Sequence, residues 1–252
     1  MCSDVVRLDV VDSVGWITLN RPERLNAMDM AWIEGLNSAV DALAHAEDLR
    51  VVVVRGAGRS FCAGLDLDML AASGMPDGFY AGQERAFRAL ELMDAVTIAA
   101  IHGHCLGGGV QLAVACDIRV CSTDASLGLT AIHKGLFPGM APHRLPRVVG
   151  LGTAARLILG GETIDATEAL RLHLADYVVP ADTFEPDVQR IVDVYRTSGP
   201  AAVRASKQLM RGAYTATWAA AYAQSLPLLQ ECLVSSEVTR TREERRANYP
   251  LT

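Results

Sequence analysis

Six cysteines (2, 62, 105, 116, 121 and 232) occur without a single Cys-x-x-Cys pair. That spacing excludes an evident metal site or disulfide framework and fits free, mostly buried thiols in a reducing cytoplasm. The chain also lacks any block of five or six like charges, and its net charge is −6 with a pI near 5.5. Neither nucleic acid nor an anionic membrane surface is an expected partner for such a surface. The one basic cluster, Arg240 to Arg246, is broken by Glu243 and Glu244 and reads as a solvated helix face. No apolar run approaches the roughly 18 residues that cross a bilayer. The opening Met1-Cys2-Ser3-Asp4 has no basic start followed by an apolar stretch, so no signal peptide is expected and the cytoplasm is the expected location. Low-complexity segments and solenoid-type repeats are absent too.

What is present is a chain of 252 residues, half of them hydrophobic. Such a length supports one full core of roughly 200 residues with chain left over. Strand candidates are Val5–Asp9, Trp16–Leu19, Val51–Arg55, Thr97–Ile101, Ile118–Cys121 and Tyr177–Val179. The unbroken Val51-Val52-Val53-Val54 run predicts a strand buried on both faces. Helix candidates interleave with them: Met30–Ala46, Gln83–Met93, Gly108–Ala115, Thr153–Leu159 and Asp165–Leu172. This alternation predicts a layered α/β fold. From about Phe184 the strand signal ends, and Asp187–Tyr195, Ala201–Tyr214 and the stretch from Ser225 to Asn248 are helical in pattern. Pro200 stands where a helix can begin, and Pro227 is expected to interrupt one. The division is therefore an α/β core over residues 1–190 and a helical region over 191–252. Those helices serve either self-association or packing on their own core.

Two glycine-rich turns follow strands directly. One is Arg55-Gly56-Ala57-Gly58-Arg59-Ser60-Phe61-Cys62-Ala63-Gly64-Leu65-Asp66-Leu67; the other is His102-Gly103-His104-Cys105-Leu106-Gly107-Gly108-Gly109-Val110-Gln111. Three glycines opening a helix leave unpaired N–H groups at the positive end of its dipole and let a ligand approach the backbone. Such a site holds a phosphate or an oxyanion developing on a carbonyl. The alternative is that the glycines only permit close helix–strand packing. No Gly-Lys-Ser/Thr follows, and the triplet lacks the Gly-x-Gly-x-x-Gly spacing, so neither a P-loop nor a dinucleotide site is expected.

These turns resemble the signatures of the crotonase (enoyl-CoA hydratase/isomerase) family. Asn20-Arg21-Pro22-Glu23-Arg24-Leu25-Asn26-Ala27 resembles the first, Ser60–Leu67 the second, and His102–Gly109 with Ala115-Cys116-Asp117-Ile118-Arg119 the third. Gly135-Leu136-Phe137-Pro138-Gly139 with Arg144-Leu145-Pro146 resembles the fourth, and Gly161–Leu170 with Asp176–Pro180 the fifth. The resemblance implies a spiral of ββα units with a C-terminal helical oligomerisation region, assembled as a homotrimer or dimer of trimers. It implies an acyl-coenzyme A thioester as ligand, with no further cofactor and no metal. It places the backbone N–H groups of Leu65 and Gly108 as an oxyanion hole. Arg24, Ala63 and Asp66 would help hold the nucleotide end of coenzyme A, and Lys207 would meet the coenzyme A of a neighbouring subunit.

The sequence departs from that pattern where hydratases of the family keep two glutamates. Those positions are Gln111 and Ala131, and no Asp or Glu stands between Asp124 and Glu162. A glutamine cannot cycle a proton near neutral pH, and alanine has none to give. Standard hydration is therefore not expected. His133, two residues past Ala131, is the candidate substitute proton carrier, and Asp68 and Glu84 are charges that could reach the pocket. His173 stands where relatives place a glycine, and a left-handed backbone is expected there. Acyl specificity is assigned to the region from Met69 to Arg88, whose segment 73–78 looks mobile. Two functions remain open: an enzyme acting through a thioester enolate, and a non-catalytic acyl-CoA-binding or carrier protein.

Overall fold

A computed structural model describes residues 5–46 and 48–248 of the chain. It separates into two compact units that divide between Arg196 and Thr197. The helix that spans residue 190 runs unbroken to Arg196, so it stays with the first unit.

The first unit opens with a hairpin, β1 (Val6–Val11) and β2 (Val14–Leu19), then α1 (Met30–Leu43). Next come β3 (Val51–Gly56), β4 (Ser60–Cys62), α2 (Leu67–Ser73) and α3 (Phe79–Leu92). The pattern recurs with β5 (Val96–Ile101), β6 (His104–Leu106) and α4 (Gly108–Val114). It recurs again with β7 (Ile118–Ser122), β8 (Ser126–Gly128), α5 (Ala141–Val149) and α6 (Leu151–Gly160). The unit closes with β9 (Thr163–Asp165), α7 (Ala166–Arg171), β10 (Tyr177–Val179) and α8 (Phe184–Arg196).

Strands β3, β5 and β7 are each followed at once by a short one, β4, β6 and β8. Strands β3, β5 and β7 join the β1–β2 hairpin and the short β10 in one six-stranded sheet of order β1-β2-β3-β5-β7-β10, and β4, β6, β8 and β9 form a second sheet in the order β4-β6-β8-β9. Pairing from β2 through β10 is parallel, as the crossovers through helices require. This is the spiral of ββα units that the resemblance implied. Val51 to Val54 are fully buried, as a central parallel strand demands.

All six strand candidates are present. The four short strands were not expected, because three residues carry no readable period. Helix α3 begins at Phe79 rather than Gln83, and α2 and α5 are additional. His173 has φ +59, the left-handed backbone expected of it.

The turn from α7 into β10 is fastened by Arg119. Its guanidinium is 6% exposed, pairs with Asp176 at 2.6 Å, and donates to the carbonyls of Leu174 and Cys116. Asp176 also accepts the Arg119 backbone N–H at 2.8 Å.

The second unit consists of α9 (Pro200–Arg211), α10 (Trp218–Leu233) and α11 (Ser236–Asn248). Pro200 begins α9, where a missing N–H costs nothing. Pro227 does not interrupt α10, which runs through it for 16 residues. Arg204 of α9 pairs with Glu231 of α10 at 2.8 Å.

The Arg119 clamp yields a first prediction. Asp176→Ala leaves a buried guanidinium without its counter-charge and should lower stability by about 2–4 kcal/mol. Urea unfolding of the intact protein measures it; a loss under about 0.5 kcal/mol would show that the carbonyls alone satisfy Arg119.

Candidate active site

Three chain segments meet at the site, and hydrogen bonds fix each to the next. Asn26 is fully buried; its side-chain amide donates to the carbonyls of Ala57 (3.0 Å) and Ser60 (2.7 Å), while its side-chain oxygen accepts the N–H of Arg21 (2.8 Å). The first glycine-free loop is therefore pinned to the second, glycine-rich one. Arg21 then reaches Asp66 (3.1 Å) and Asp29 (3.0 Å). Asp66 caps α2 by accepting the N–H groups of Asp68 (3.0 Å) and Met69 (3.2 Å). Burial opposes its ionisation, but the Met69 N–H, the Arg21 guanidinium and the Asp68 N–H outweigh it and hold its carboxyl below the usual carboxylate range.

The same lacing decides where Leu65 points. Residues 64 and 66 bond Met28 on both sides: Met28 N–H donates to Gly64 at 2.7 Å, and Asp66 N–H donates to Met28 at 3.0 Å. In such a parallel bridge the intervening N–H faces the opposite way. Leu65 N–H consequently has no acceptor among the described residues.

Opposite it stands the start of α4. Gly108 is the first residue of that helix, so its N–H has no intrahelical partner. Two glycines allow the segments to touch. Gly64 has φ +89, and a Cβ there would lie 2.7 Å from the Leu106 carbonyl oxygen and 3.1 Å from Gly108 N. A Cβ on Gly109 would lie 2.4 Å from the Cys62 carbonyl oxygen. The Cys62 thiol donates to the Asn26 carbonyl and accepts the Gly64 N–H; burial, which outweighs that N–H, pushes its pKa up to about 12. It is a neutral packing group rather than a nucleophile.

Leu65 and Gly108 line one cavity of about 270 Å³. Gln111 and Ala131, the two positions where the resemblance implied glutamates, line it as well. The remaining walls are mainly apolar: Met28, Met75 and Phe79 on one side, Leu136, Phe137 and Pro138 on the other. Gly139, Tyr80 and Gln83 complete it. Among the described residues no carboxylate lines it. Gln111 is 5% exposed, and its side-chain oxygen has no hydrogen-bond partner.

Other expected residues lie outside this acyl cavity. His133 does not line this cavity: it is exposed on a 3-10 turn, Thr130–Lys134, with its imidazole against Gly161. Two residues along a three-residue turn carry a side chain well away from its neighbour's direction, which is why Ala131 faces inward and His133 does not. Arg24 is an exposed partner of Asp68, so neither reaches the acyl cavity. Ala63 donates its N–H to the Leu25 carbonyl at 2.9 Å and belongs to the lacing. Glu84 sits behind the cavity on Arg144, at 2.7 Å, and Arg144 also holds Glu91, tying α3 to α5. Lys207 lies in α9 of the second unit and is buried.

Tyr80 and Gln83 were not anticipated. Their signal was present: a helix begun four residues earlier places Phe79, Tyr80 and Gln83 on one face. Among the described residues no cluster of three His, Cys, Asp or Glu could hold a metal ion, and no helix is long and apolar enough to cross a membrane. A larger depression of about 470 Å³ lies at the carboxyl ends of the parallel strands, and none of the expected site residues lines it.

The fold and the paired glycine loops define a protein of the crotonase superfamily. Residues 9–249 match the family model described as enoyl-CoA hydratase/isomerase, and the chain belongs to that family. It is 34% identical to a short-chain-enoyl-CoA hydratase from Clostridium acetobutylicum over 207 residues, 81% of this chain and 79% of the relative. Its fold superposes on an enoyl-CoA hydratase from Bacillus anthracis with a TM-score of 0.90 at 29% identity, covering 97% of this chain and 96% of the other. A Thermobifida fusca protein solved in complex with acetoacetyl-CoA superposes with a TM-score of 0.85 at 33% identity, covering 92% and 95%.

The crossing of the loops can be probed directly. Gly64→Ala and Gly78→Ala both force a side chain onto a strongly positive φ, +89 and +80, but only Gly64 has atoms in the way. Each substitution should cost about 1–3 kcal/mol of backbone strain. Gly64→Ala should cost at least about 1 kcal/mol more through overpacking. Equal losses in denaturant titrations would refute the tight contact.

Proposed function

We propose that the chain is an enzyme that processes an acyl-coenzyme A thioester through its enolate. The observation that carries this reading is the pair of unengaged N–H groups, Leu65 and Gly108, lining one largely apolar cavity. Both would donate to the thioester oxygen as negative charge develops on it, in a largely apolar cavity where such donors act more strongly than in water. Coenzyme A enters as part of the substrate, and no resident cofactor is required. Arg24, exposed and paired with Asp68, would exchange that partner for a coenzyme A phosphate; Ala63 and Asp66 hold the loop that presents Leu65, and Lys207 belongs to the second unit.

Hydration of a 2-enoyl thioester needs a base and an acid on one water. Gln111 and Ala131 supply neither; of the lyase and isomerase chemistries open to an enolate, cleavage of a bond to the α-carbon fits this wall best, because a double-bond shift, like hydration, needs a base. The same two residues support a second reading, an acyl-CoA carrier that keeps the oxyanion donors without turnover.

Mass spectrometry of a panel of 2-enoyl, 3-enoyl, 3-hydroxyacyl, 3-keto and carboxyacyl thioesters separates these. The expected outcome is turnover of at least one class, reduced about 10²–10³-fold by Gly108→Pro, which removes one donor. Binding without any turnover would establish the carrier instead. Gain or loss of water by the wild-type protein would show that hydration survives without the glutamate pair.

We also infer self-association through the second unit. Trp218, Tyr222, Leu226 and Leu229 recur along α10 and are 47–78% exposed, an apolar stripe of the kind that marks an interface. Light scattering should give three or six times 27.0 kDa. Leu226→Asp with Leu229→Asp should lower that mass; an unchanged assembly would place the interface elsewhere.

A further inference from the structure

If the cavity handles an enolate, something in it must handle the proton, and neither family position supplies one. Among the described residues, Tyr80 is the only titratable side chain that lines the cavity. It sits in the first turn of α3, with Phe79 beside it and Gln83 one turn on, so one helix face forms this wall. Its ring edge and the side-chain oxygen of Gln111 both press on the space where Gly139 lacks a side chain. A Cβ on Gly139 would lie 2.6 Å from Gln111 Oε1 and 3.1 Å from Tyr80 Cε2. Gly139 holds φ +53, so the turn both needs glycine and leaves room for these two side chains to converge. Gln111 stands one turn along α4 from Gly108, whose N–H is a proposed oxyanion donor. The phenol and that donor therefore serve the same cavity.

We propose, resting on the enolate reading above, that Tyr80 is the proton donor of this site and that the chain completes reactions ending in protonation of the thioester α-carbon. In a decarboxylation the bond from the α-carbon to the carboxylate breaks. Carbon dioxide leaves, and the electron pair becomes the enolate held by Leu65 and Gly108. The enolate pair then takes the phenolic proton to form the new C–H bond, the thioester carbonyl is restored, and water reprotonates the phenolate. Tyr80 is 41% exposed, which gives that water access.

The surroundings favour donation over abstraction. Burial, and next the nearby Glu84 carboxylate, raise the Tyr80 pKa above its ordinary value, with Arg144 opposing them. Glu84 lies one turn along α3 and Arg144 comes from α5. The other walls, from residues 28 and 65, from α4 and from segment 131–139, bring no charged group to the cavity. The phenol stays protonated at neutral pH and is a poor base. Chemistry that begins with loss of a proton from carbon is correspondingly disfavoured.

The test compares the full-length wild type with Tyr80→Phe on malonyl-CoA, its 2-methyl homologue and acetoacetyl-CoA in D2O. Circular dichroism and affinity for an unreactive saturated acyl-CoA serve as controls. The wild type is expected to release carbon dioxide from a carboxyacyl thioester and, with the 2-methyl homologue, whose product has a stereogenic CHD centre, to place deuterium on one face of the α-carbon. Tyr80→Phe should lower kcat by about 10²–10⁴-fold, leave KM within a few-fold, and place deuterium on both faces. A variant with wild-type kcat and facial selectivity would overturn the role of Tyr80 while leaving the enolate enzyme standing. Wild-type turnover confined to hydration or double-bond shifts would overturn it as well. No turnover of any thioester would overturn both readings together.

Discussion

Two backbone N–H groups can face one point only where two chain segments cross with no side chain between them. In this fold the crossing follows from strand order. Strands β3 and β5 are neighbours in the parallel sheet, so the loops that leave them emerge side by side. Each loop then adds a short strand, and β4 and β6 pair in the second sheet. That pairing carries Gly64 against the start of α4, where any Cβ on Gly64 or Gly109 would collide with backbone. The remaining freedom is removed by Asn26, whose buried amide bridges the first loop to Ala57 and Ser60. A buried amide left without those carbonyls would cost about 1–3 kcal/mol. The loop geometry and the stability of the core are therefore one set of interactions.

Much of this was legible in the sequence because the decisive positions are backbone constraints. Glycine triplets, the buried valine strand and the alternation of strand and helix each have a physical meaning that survives without coordinates. The long strands emerged where the runs placed them, and His173 adopted the left-handed backbone its position required. The second sheet was not legible. Its strands are three residues long and carry Gly, Ser, His and Thr, so neither period nor propensity marks them. Helix α5 was hidden by Pro142 and Pro146, one tolerated in its first turn and the other carried inside it. Pro227 was overweighted for the opposite reason: it too is carried inside its helix, and α10 stays continuous through it.

The candidate site shows the same division. Leu65, Gly108, Gln111 and Ala131 fall in one cavity because their positions are set by the loops. Side chains whose direction depends on local geometry were harder to place. His133 is two residues from Ala131, but a 3-10 turn sends it to Gly161. Asp66, expected near the nucleotide end of coenzyme A, spends its carboxylate on the α2 cap and on Arg21. Tyr80 was missed because the helix was begun at Gln83, which left the first turn of α3 in a supposed loop. A difference of four residues in a helix start thus concealed Tyr80, the one titratable group of the wall among the described residues.

The absence of carboxylates from that wall has an electrostatic consequence of its own. In a cavity of low polarity a carboxylate close to a developing enolate repels it, and the interaction is far stronger there than in water. Enzymes that abstract a proton accept that repulsion because the carboxylate becomes neutral as the enolate forms. A site that generates the enolate by losing a neutral fragment gains nothing from such a base and retains the repulsion. Gln111 and Ala131 remove it, while Glu84 stands behind the wall, held by an Arg144 that it shares with Glu91. On the proposed reading, the two substitutions are then not a loss of function. They match the cavity to an anion that arises by bond cleavage and is quenched by a neutral phenol.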